Sequence, residues 1–216
     1  MPRLALDGTS LTLASLDPIF GGESVTLTIS KDAKTRVRAA RALVESHVAA
    51  GDIVYGLTTG FGKLKSVAIA TADLEELQRN LIVSHCTGVG APMPLEEVRV
   101  VQVLRLNGIL RGHSGVRLAV VEQLARLFNK GFVPEVPMKG SVGASGDLAP
   151  LAHMAATYLG EGFVYVPDPK KARAYKRLSA KRALAAVGEK PIVFPPEEGL
   201  APINGTEGIK APLPRA

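Results

Sequence analysis

At 216 residues, with 46% hydrophobic and 21% charged side chains, the sequence has the composition of a globular protein rather than of a disordered or fibrous one. It contains neither the roughly 18 consecutive apolar residues of a membrane helix nor the apolar segment of a signal peptide, so we expect no membrane association. The net charge of +6 comes from residues 170–190, which carry eight cations against one acid, and a single basic segment favours a solvated surface over a nucleic-acid site.

The first fifty residues predict short β elements followed by a long helix. Residues 4–13 are expected to form a hairpin, because Asp7-Gly8 is a favourable two-residue turn, and residues 25–29 are expected to form a further strand. From Ser30 the apolar side chains recur with helical spacing as far as Gly51, a residue suited to ending a helix. The first helix is therefore expected between these two residues.

Helical spacing dominates the rest of the chain. Apolar residues predict four further helices, over residues 71–85, 94–104, 114–128 and 148–159. Ser114 and Asp147 are suited to cap the last two of these. A strand is expected over residues 163–166, and another helix over the basic segment. We therefore predict a mainly α protein with small β elements and no linker that separates two complete domains.

Residues 140–155, with the sequence GSVGASGDLAPLAHMA, place a glycine-rich loop directly before a predicted helix. Gly143 lets the backbone bend freely, and Gly146 has no side chain to hinder its amide nitrogen. In a tight turn the Gly146 nitrogen can reach the carbonyl carbon of Ala144. Ring closure and dehydration of Ser145 would then give a methylidene-imidazolone, a strong electrophile. The triplet alone favours the alternative, an ordinary turn that leads into a helix.

Other familiar sites are not indicated. The loop lacks the last glycine of the G-x-S-x-G nucleophile elbow, and neither a phosphate-binding loop nor a dinucleotide fingerprint is present. Metal-ligand spacing is not found around the histidines, which are His47, His85, His113 and His153. The single cysteine, Cys86, excludes an internal disulfide and favours a reducing, cytoplasmic location.

Six ordered segments together resemble the aromatic amino acid ammonia-lyases, and the histidine-specific members in particular. They are residues 55–62 (YGLTTGFG), 80–90 (NLIVSHCTGVG), 105–108 (RLNG), 111–117 (RGHSGVR), 140–154 (GSVGASGDLAPLAHM) and 204–206 (NGT). The resemblance covers residues 1–208 and implies a truncated N-terminal part of the histidine ammonia-lyase fold, which is fumarase/aspartase-like. Residues 209–216 have no counterpart and are interpreted as an unrelated tail.

The resemblance also implies a role for each candidate site residue. Ala144-Ser145-Gly146 would form the methylidene-imidazolone autocatalytically, with neither a metal nor an external cofactor. Tyr55 would remove the β-proton of the substrate. His85 would contact the substrate ring, and Asn204 would lie near the electrophile and the substrate amino group.

The implied reaction is the non-oxidative elimination of ammonia from L-histidine to give urocanate, in a homo-oligomer that is a tetramer in the intact family. The Ser84-His85 pair favours histidine as substrate, although similar pairs occur in tyrosine aminomutases. A tyrosine or phenylalanine ammonia-lyase or aminomutase therefore stays open as an alternative. Family members continue further and supply additional site residues, so a catalytically inactive fragment that only associates with other subunits is a third possibility.

Overall fold

The structure, a computed structural model, describes residues 1–52, 54, 74–171, 174–194 and 198–211. The helices within these ranges are α1 (Asp17–Phe20), α2 (Lys31–Ala50), α3 (Leu74–Ser84), α4 (Leu95–Ile109), α5 (Leu118–Asn129), α6 (Leu148–Tyr158), α7 (Ala180–Ala186) and α8 (Glu207–Lys210). The strands are β1 (Arg3–Leu6), β2 (Thr26–Ile29), β3 (Val89–Pro92), β4 (Val133–Pro134), β5 (Pro137–Lys139), β6 (Phe163–Pro167) and β7 (Tyr175–Ser179). The predicted class, mainly α with small β elements, is confirmed. None of these described helices has the length and apolar character needed to cross a bilayer.

Helix α4 forms the centre of the structure. Val98, Val100 and Val103 are all buried although they point to different sides, which is typical of a helix enclosed by the core. The helix packs against α1, α5, α8 and β4. Its buried Gln102 donates a hydrogen bond of 3.2 Å to the hydroxyl of Tyr158, at the end of α6. The two helices are therefore joined by a polar contact inside the core.

The predicted N-terminal hairpin is wrong. Strand β1 pairs in parallel with β2, and residues 9–13 form no strand. The Asp7 carboxylate accepts hydrogen bonds from the amides of Thr9 at 2.7 Å and Ser10 at 2.8 Å, and these bonds hold its pKa well below the ordinary value. The Gly8 amide donates to Asn107 Oδ1 at 2.9 Å, on α4. The Asp-Gly turn thus directs the chain onto α4 instead of back along β1.

The ends of the predicted helices are partly confirmed. Helix α2 begins after Ser30, whose hydroxyl accepts a hydrogen bond from the Ala33 amide at 3.2 Å, and it ends at Gly51 with a φ of 72°. Helix α5 begins later than predicted, after Arg117, so Ser114 does not cap it. The reason is tertiary, because the Arg117 amide and guanidinium are both bound by the buried carboxylate of Glu198.

The basic segment does not form the single helix that was expected. Within the described part of this segment, strand β7 pairs antiparallel with β6, and helix α7 follows it. The Arg177 guanidinium lies 3.5 Å above the ring of Phe163 and forms an ion pair with Glu135. Cross-strand contacts of this kind stabilise the extended conformation, which helical propensity alone would not predict.

Candidate active site

Glycines bend the loop before α6 on both sides of its centre. Gly143 has a φ of 65° and Gly146 a φ of 134°, which are conformations that residues with a Cβ atom rarely adopt. Gly143–Ser145 forms a 3-10 turn, closed by a hydrogen bond of 3.1 Å from the Gly146 amide to the Gly143 carbonyl. The Gly146 nitrogen is therefore folded back over Ala144 and Ser145.

The centre of this loop is open. Ala144 and Ser145 are exposed, and the Gly205 carbonyl oxygen is the nearest neighbour that a Cβ at Gly146 would meet, at 4.0 Å. No side chain lies within 4 Å of the position that a Cβ at Gly146 would take, and Ser145 is exposed. An unhindered nitrogen, a small preceding residue and an accessible hydroxyl are the features that ring closure and dehydration need. The residues present fit a methylidene-imidazolone.

The two ends of the loop are held firmly by one buried carboxylate. The Ser141 hydroxyl donates to Asp147 Oδ1 and accepts a hydrogen bond of 3.1 Å from the Gly143 amide. Asp147 is fully buried, and its carboxylate makes no capping hydrogen bond to α6. The prediction that it caps this helix is therefore wrong, because its carboxylate faces the loop instead.

The turn that carries Asn204 contacts the same loop. The Asp147 amide donates a hydrogen bond of 2.8 Å to the Gly205 carbonyl oxygen. The Asn204 side chain is exposed, while its backbone carbonyl accepts a hydrogen bond of 2.9 Å from Arg105 Nη1. The structure thus brings the Asn204 turn and the Ala144-Ser145-Gly146 loop together, although some sixty residues separate them in the chain.

His85 lies immediately after the last residue of α3. Its Nδ1 is 2.7 Å from the Leu81 carbonyl oxygen, and a carbonyl only accepts, so Nδ1 carries the hydrogen and, in the neutral form of the ring, Nε2 is an acceptor. The segment reaches the start of the loop through Gly88, whose Cα lies 3.1 Å from where a Cβ at Gly140 would be. Among the described residues, no hydrogen bond joins His85 to Ser145.

A second histidine holds this segment in place, and no pattern in the sequence singles it out for that role. His153 on α6 accepts a hydrogen bond of 3.1 Å at Nε2 from the Gly88 amide. Burial lowers the pKa of His153, which favours the neutral form that can accept this bond. A Cβ at Gly88 would lie 3.2 Å from the His153 ring. No local pattern marks the pair, because its members are 65 residues apart.

Tyr55 and Cys86 are the remaining residues that the sequence singled out. Tyr55, the expected base, lies outside the described residues. Cys86 is half-buried, and burial together with the negative charge of Glu161 raises the pKa of its thiol to about 11. A protonated thiol is a poor nucleophile, which agrees with a spectator role. The described part of the chain holds no cluster of His, Cys, Asp and Glu side chains suited to a metal ion.

Comparison with known proteins decides the family. The model of the family described as "Aromatic amino acid lyase" matches residues 11–213, nearly the whole chain. The chain belongs to this family. Histidine ammonia-lyase from Anaeromyxobacter dehalogenans is 46% identical over 211 residues, which make up 98% of this chain and 41% of that protein. Histidine ammonia-lyase from Myxococcus xanthus is also 46% identical, over 97% of this chain and 40% of its own length.

Solved structures of related sequence agree with the fold. The histidine ammonia-lyase of Trypanosoma cruzi superposes with a TM-score of 0.89 at 40% identity, over 99% of this chain and 39% of that one. Ergothionase from Treponema denticola superposes with a TM-score of 0.89 at 30% identity, over 99% of this chain and 41% of that one. Tyrosine aminomutase from Streptomyces globisporus superposes with a TM-score of 0.83 at 32% identity, over 98% of this chain and 38% of that one. The chain spans about two fifths of the length of the relatives it matches.

Proposed function

We propose that this chain is the electrophile-bearing part of a histidine ammonia-lyase, in which ammonia is eliminated from L-histidine to give urocanate. The observation that carries the proposal is the loop before α6, where a tight turn exposes Ala144 and Ser145 and no side chain lies within 4 Å of a Cβ position at Gly146. The similarity to histidine ammonia-lyases at up to 46% identity supports the same assignment.

The prosthetic group would be built from the chain itself. The Gly146 nitrogen attacks the Ala144 carbonyl carbon, and that carbonyl oxygen leaves as the first water. Ser145 then loses its α-proton and its hydroxyl as the second water, which leaves an alkene. The loop favours this closure, since Asp147 and Ser141 hold its ends while Ala144 and Ser145 at its centre are exposed. The finished group would supply the electrophile for the substrate amino group.

The other candidate residues have separate tasks in this proposal. Tyr55 takes the β-proton of the substrate, and the Cα–Cβ double bond forms as ammonia leaves, so no oxidant is required. His85 presents Nε2 as an acceptor for the N–H of an imidazole ring. Asn204 offers its exposed amide beside the loop, where it can orient the substrate amino group.

Histidine is preferred over phenylalanine because of this acceptor, which does not separate histidine from tyrosine, since a phenol hydroxyl can also donate a hydrogen bond to Nε2. A phenyl ring has nothing to donate to Nε2, whereas an imidazole N–H does. Among solved structures, tyrosine aminomutases are 32–33% identical to this chain, against 40% for the histidine ammonia-lyase of Trypanosoma cruzi. Elimination from tyrosine or phenylalanine, or an aminomutase reaction, stands as the alternative that a substrate comparison would reveal.

The setting of the active protein follows from the same proposal. We expect a homo-oligomer in the cytoplasm that acts on a free amino acid, with residues 1–208 as the lyase region and residues 209–216 as a separate tail. Large apolar side chains are exposed near the loop, including Val89, Met138 and Val142. Such exposure favours association with further protein surface.

The test is a comparison of two preparations. The chain alone, and the chain mixed with a polypeptide that carries the part of its relatives it lacks, are assayed for urocanate formation from L-histidine. We expect turnover in the mixture and little or none from the chain alone, because no described arginine is free near the loop to hold the substrate carboxylate. Turnover of tyrosine or phenylalanine instead would favour the alternative, and no turnover of any aromatic amino acid would favour the inactive fragment.

A further inference from the structure

A buried ion pair lies behind the candidate site and has no part in the chemistry proposed above. Arg105, on α4, and Glu207, the first residue of α8, are separated by 102 residues in the chain. Arg105 Nη1 and Glu207 Oε1 are 2.9 Å apart, and each side chain is only 11% exposed. A pair this deep is not a surface salt bridge that could be lost without consequence.

The Arg105 guanidinium organises the backbone of the turn that carries Asn204. Nη1 donates to the Asn204 carbonyl oxygen at 2.9 Å, and Nη2 donates to the Ala201 carbonyl oxygen. The planar, five-donor shape of arginine allows one side chain to bind two carbonyls and a carboxylate together. Lysine has the charge but lacks this fixed fork of donors.

Glu207 presses against the same turn from the other side. A Cβ at Gly205 would overlap the Glu207 carboxylate and would lie 2.6 Å from Arg105 Nη1. Only glycine therefore allows the ion pair to approach the backbone so closely. Gly205 is also the residue whose carbonyl oxygen receives the Asp147 amide at 2.8 Å. Contacts thus run without interruption from α4, through the turn, to the residue that follows Gly146.

The pair is poorly suited to stabilising the fold for its own sake. Arg105 Nε and Glu207 Oε2 are buried with no hydrogen-bond partner among the described residues. Removing charges from water is costly unless the remaining donors and acceptors are satisfied. The Glu198 carboxylate makes a useful contrast, because both its oxygens are bound by Arg117. The Arg105–Glu207 pair leaves two buried polar atoms without a partner and contacts the Asn204 turn. Its effect on the position of that turn therefore explains it better than a contribution to stability does.

We propose that Arg105 and Glu207 are a positioning pair, which holds the Asn204–Gly205 turn against the loop Ala144-Ser145-Gly146 through the Gly205–Asp147 hydrogen bond. What this arrangement is for rests on the proposed function. Whether the arrangement exists can be measured independently of that function. Neither residue touches the reacting atoms. Their effect is on where the Asn204 amide and the end of the loop lie.

The first experiment measures hydrogen exchange of the Asp147 amide in the whole chain, using overlapping peptides and mass spectrometry. In Arg105→Lys, exchange at Asp147 should be about tenfold faster, as expected when hydrogen bonds that hold a local segment are lost. Arg117→Lys is the matched control, since it alters an ion pair with a buried carboxylate away from the loop. It should leave the exchange of Asp147 unchanged.

A second measurement reports on the chemistry. Intact mass gives the fraction of the chain that has lost two waters, and this fraction should be lower in Arg105→Lys than in the wild type and in Arg117→Lys. A purely structural role would lower the melting temperature of both variants while the folded chains dehydrated alike. If Arg105→Lys does not fold by circular dichroism, Glu207→Gln, which keeps the size of the side chain, takes its place.

The outcomes separate the two proposals. Unchanged protection of Asp147 in Arg105→Lys, or an equal loss of protection in Arg117→Lys, overturns the positioning pair. Failure of the wild-type chain to lose water counts against the proposed function, while the exchange data still decide the role of Arg105. Faster exchange at Asp147 together with a reduced dehydrated fraction, in Arg105→Lys only, supports both.

Discussion

Helices α2 and α6 begin in opposite ways. Helix α2 begins after Ser30, whose hydroxyl accepts a hydrogen bond from the Ala33 amide. Helix α6 begins after Asp147, a residue equally suited to capping, yet its carboxylate makes no such bond and instead accepts one from Ser141. Both residues follow the composition rule for an N-cap, but only Ser30 performs that task.

The residues that precede α2 and α6 therefore have different roles. Capping stabilises a helix end by satisfying amides that have no partner. Helix α6 lacks this stabilisation, because the Asp147 carboxylate binds the loop that carries the proposed electrophile. Substitutions at the start of α2 should therefore change stability without changing loop chemistry. Substitutions at the start of α6 should change loop chemistry first.

The largest effect is expected from Ser145→Ala. Without the hydroxyl no alkene can form, so the variant should lose at most one water, and the completed enzyme should show no measurable urocanate formation. The melting temperature should stay at the wild-type value, because Ser145 is exposed and its side chain makes no contact that holds the fold. Intact mass and calorimetry on the same samples test both statements. Wild-type turnover in this variant would exclude Ser145 as the source of the electrophile.

Asp147→Ala should lower both stability and loop closure. The substitution removes the hydrogen bond between the exposed Ser141 hydroxyl and the buried Asp147 carboxylate, at a cost of about 1 kcal/mol in the free energy of unfolding. The fraction of chain that loses two waters should fall as the loop end loosens. Asp147→Asn, which keeps an acceptor oxygen, is the control and should be affected less. Equal stability and equal water loss in Asp147→Ala would contradict the role given to this carboxylate.

Ser30→Ala should have the reverse profile. Loss of the N-cap of α2 is expected to lower the free energy of unfolding by about 1 kcal/mol, measured by urea denaturation. The fraction of chain that loses two waters should equal that of the wild type, because α2 is not part of the loop. Ser30→Asp retains a capping oxygen and should recover most of the stability. A defect in dehydration here would remove the distinction between the two helix starts.

The smallest expected effect is a pH dependence that arises from His153 on α6. Burial lowers its pKa in the folded chain, so below about pH 6.5 the unfolded chain binds more protons there than the folded chain does. This contribution to stability is complete above pH 6.5 and is lost as the pH falls. The melting temperature should therefore fall less in His153→Gln than in the wild type between pH 7 and pH 5.5. Parallel curves would show that folding does not lower the pKa of His153.

Much of the fold could be predicted because its causes are local. Periodic apolar residues predicted α2, α4 and α6, and Ser30 and Gly51 marked the ends of α2 correctly. The predictions that failed were those in which a distant partner overrides a local preference. Asp7-Gly8 is a good hairpin turn, but β1 pairs with β2 instead, and part of the basic segment forms strand β7 through its contacts with β6 before α7 begins.

The sequence by itself determined the family, the helical character and the loop with its triplet Ala144-Ser145-Gly146, since each of these depends on residues that are neighbours in the chain. Tertiary structure alone decided that the Asn204 turn meets this loop, that Asp147 turns away from its helix, and that Arg105 lies behind the site. These contacts join residues far apart in sequence, and no local pattern encodes them. They form because a closely packed core leaves buried donors and acceptors few partners, and those partners come from whichever segment the fold brings near.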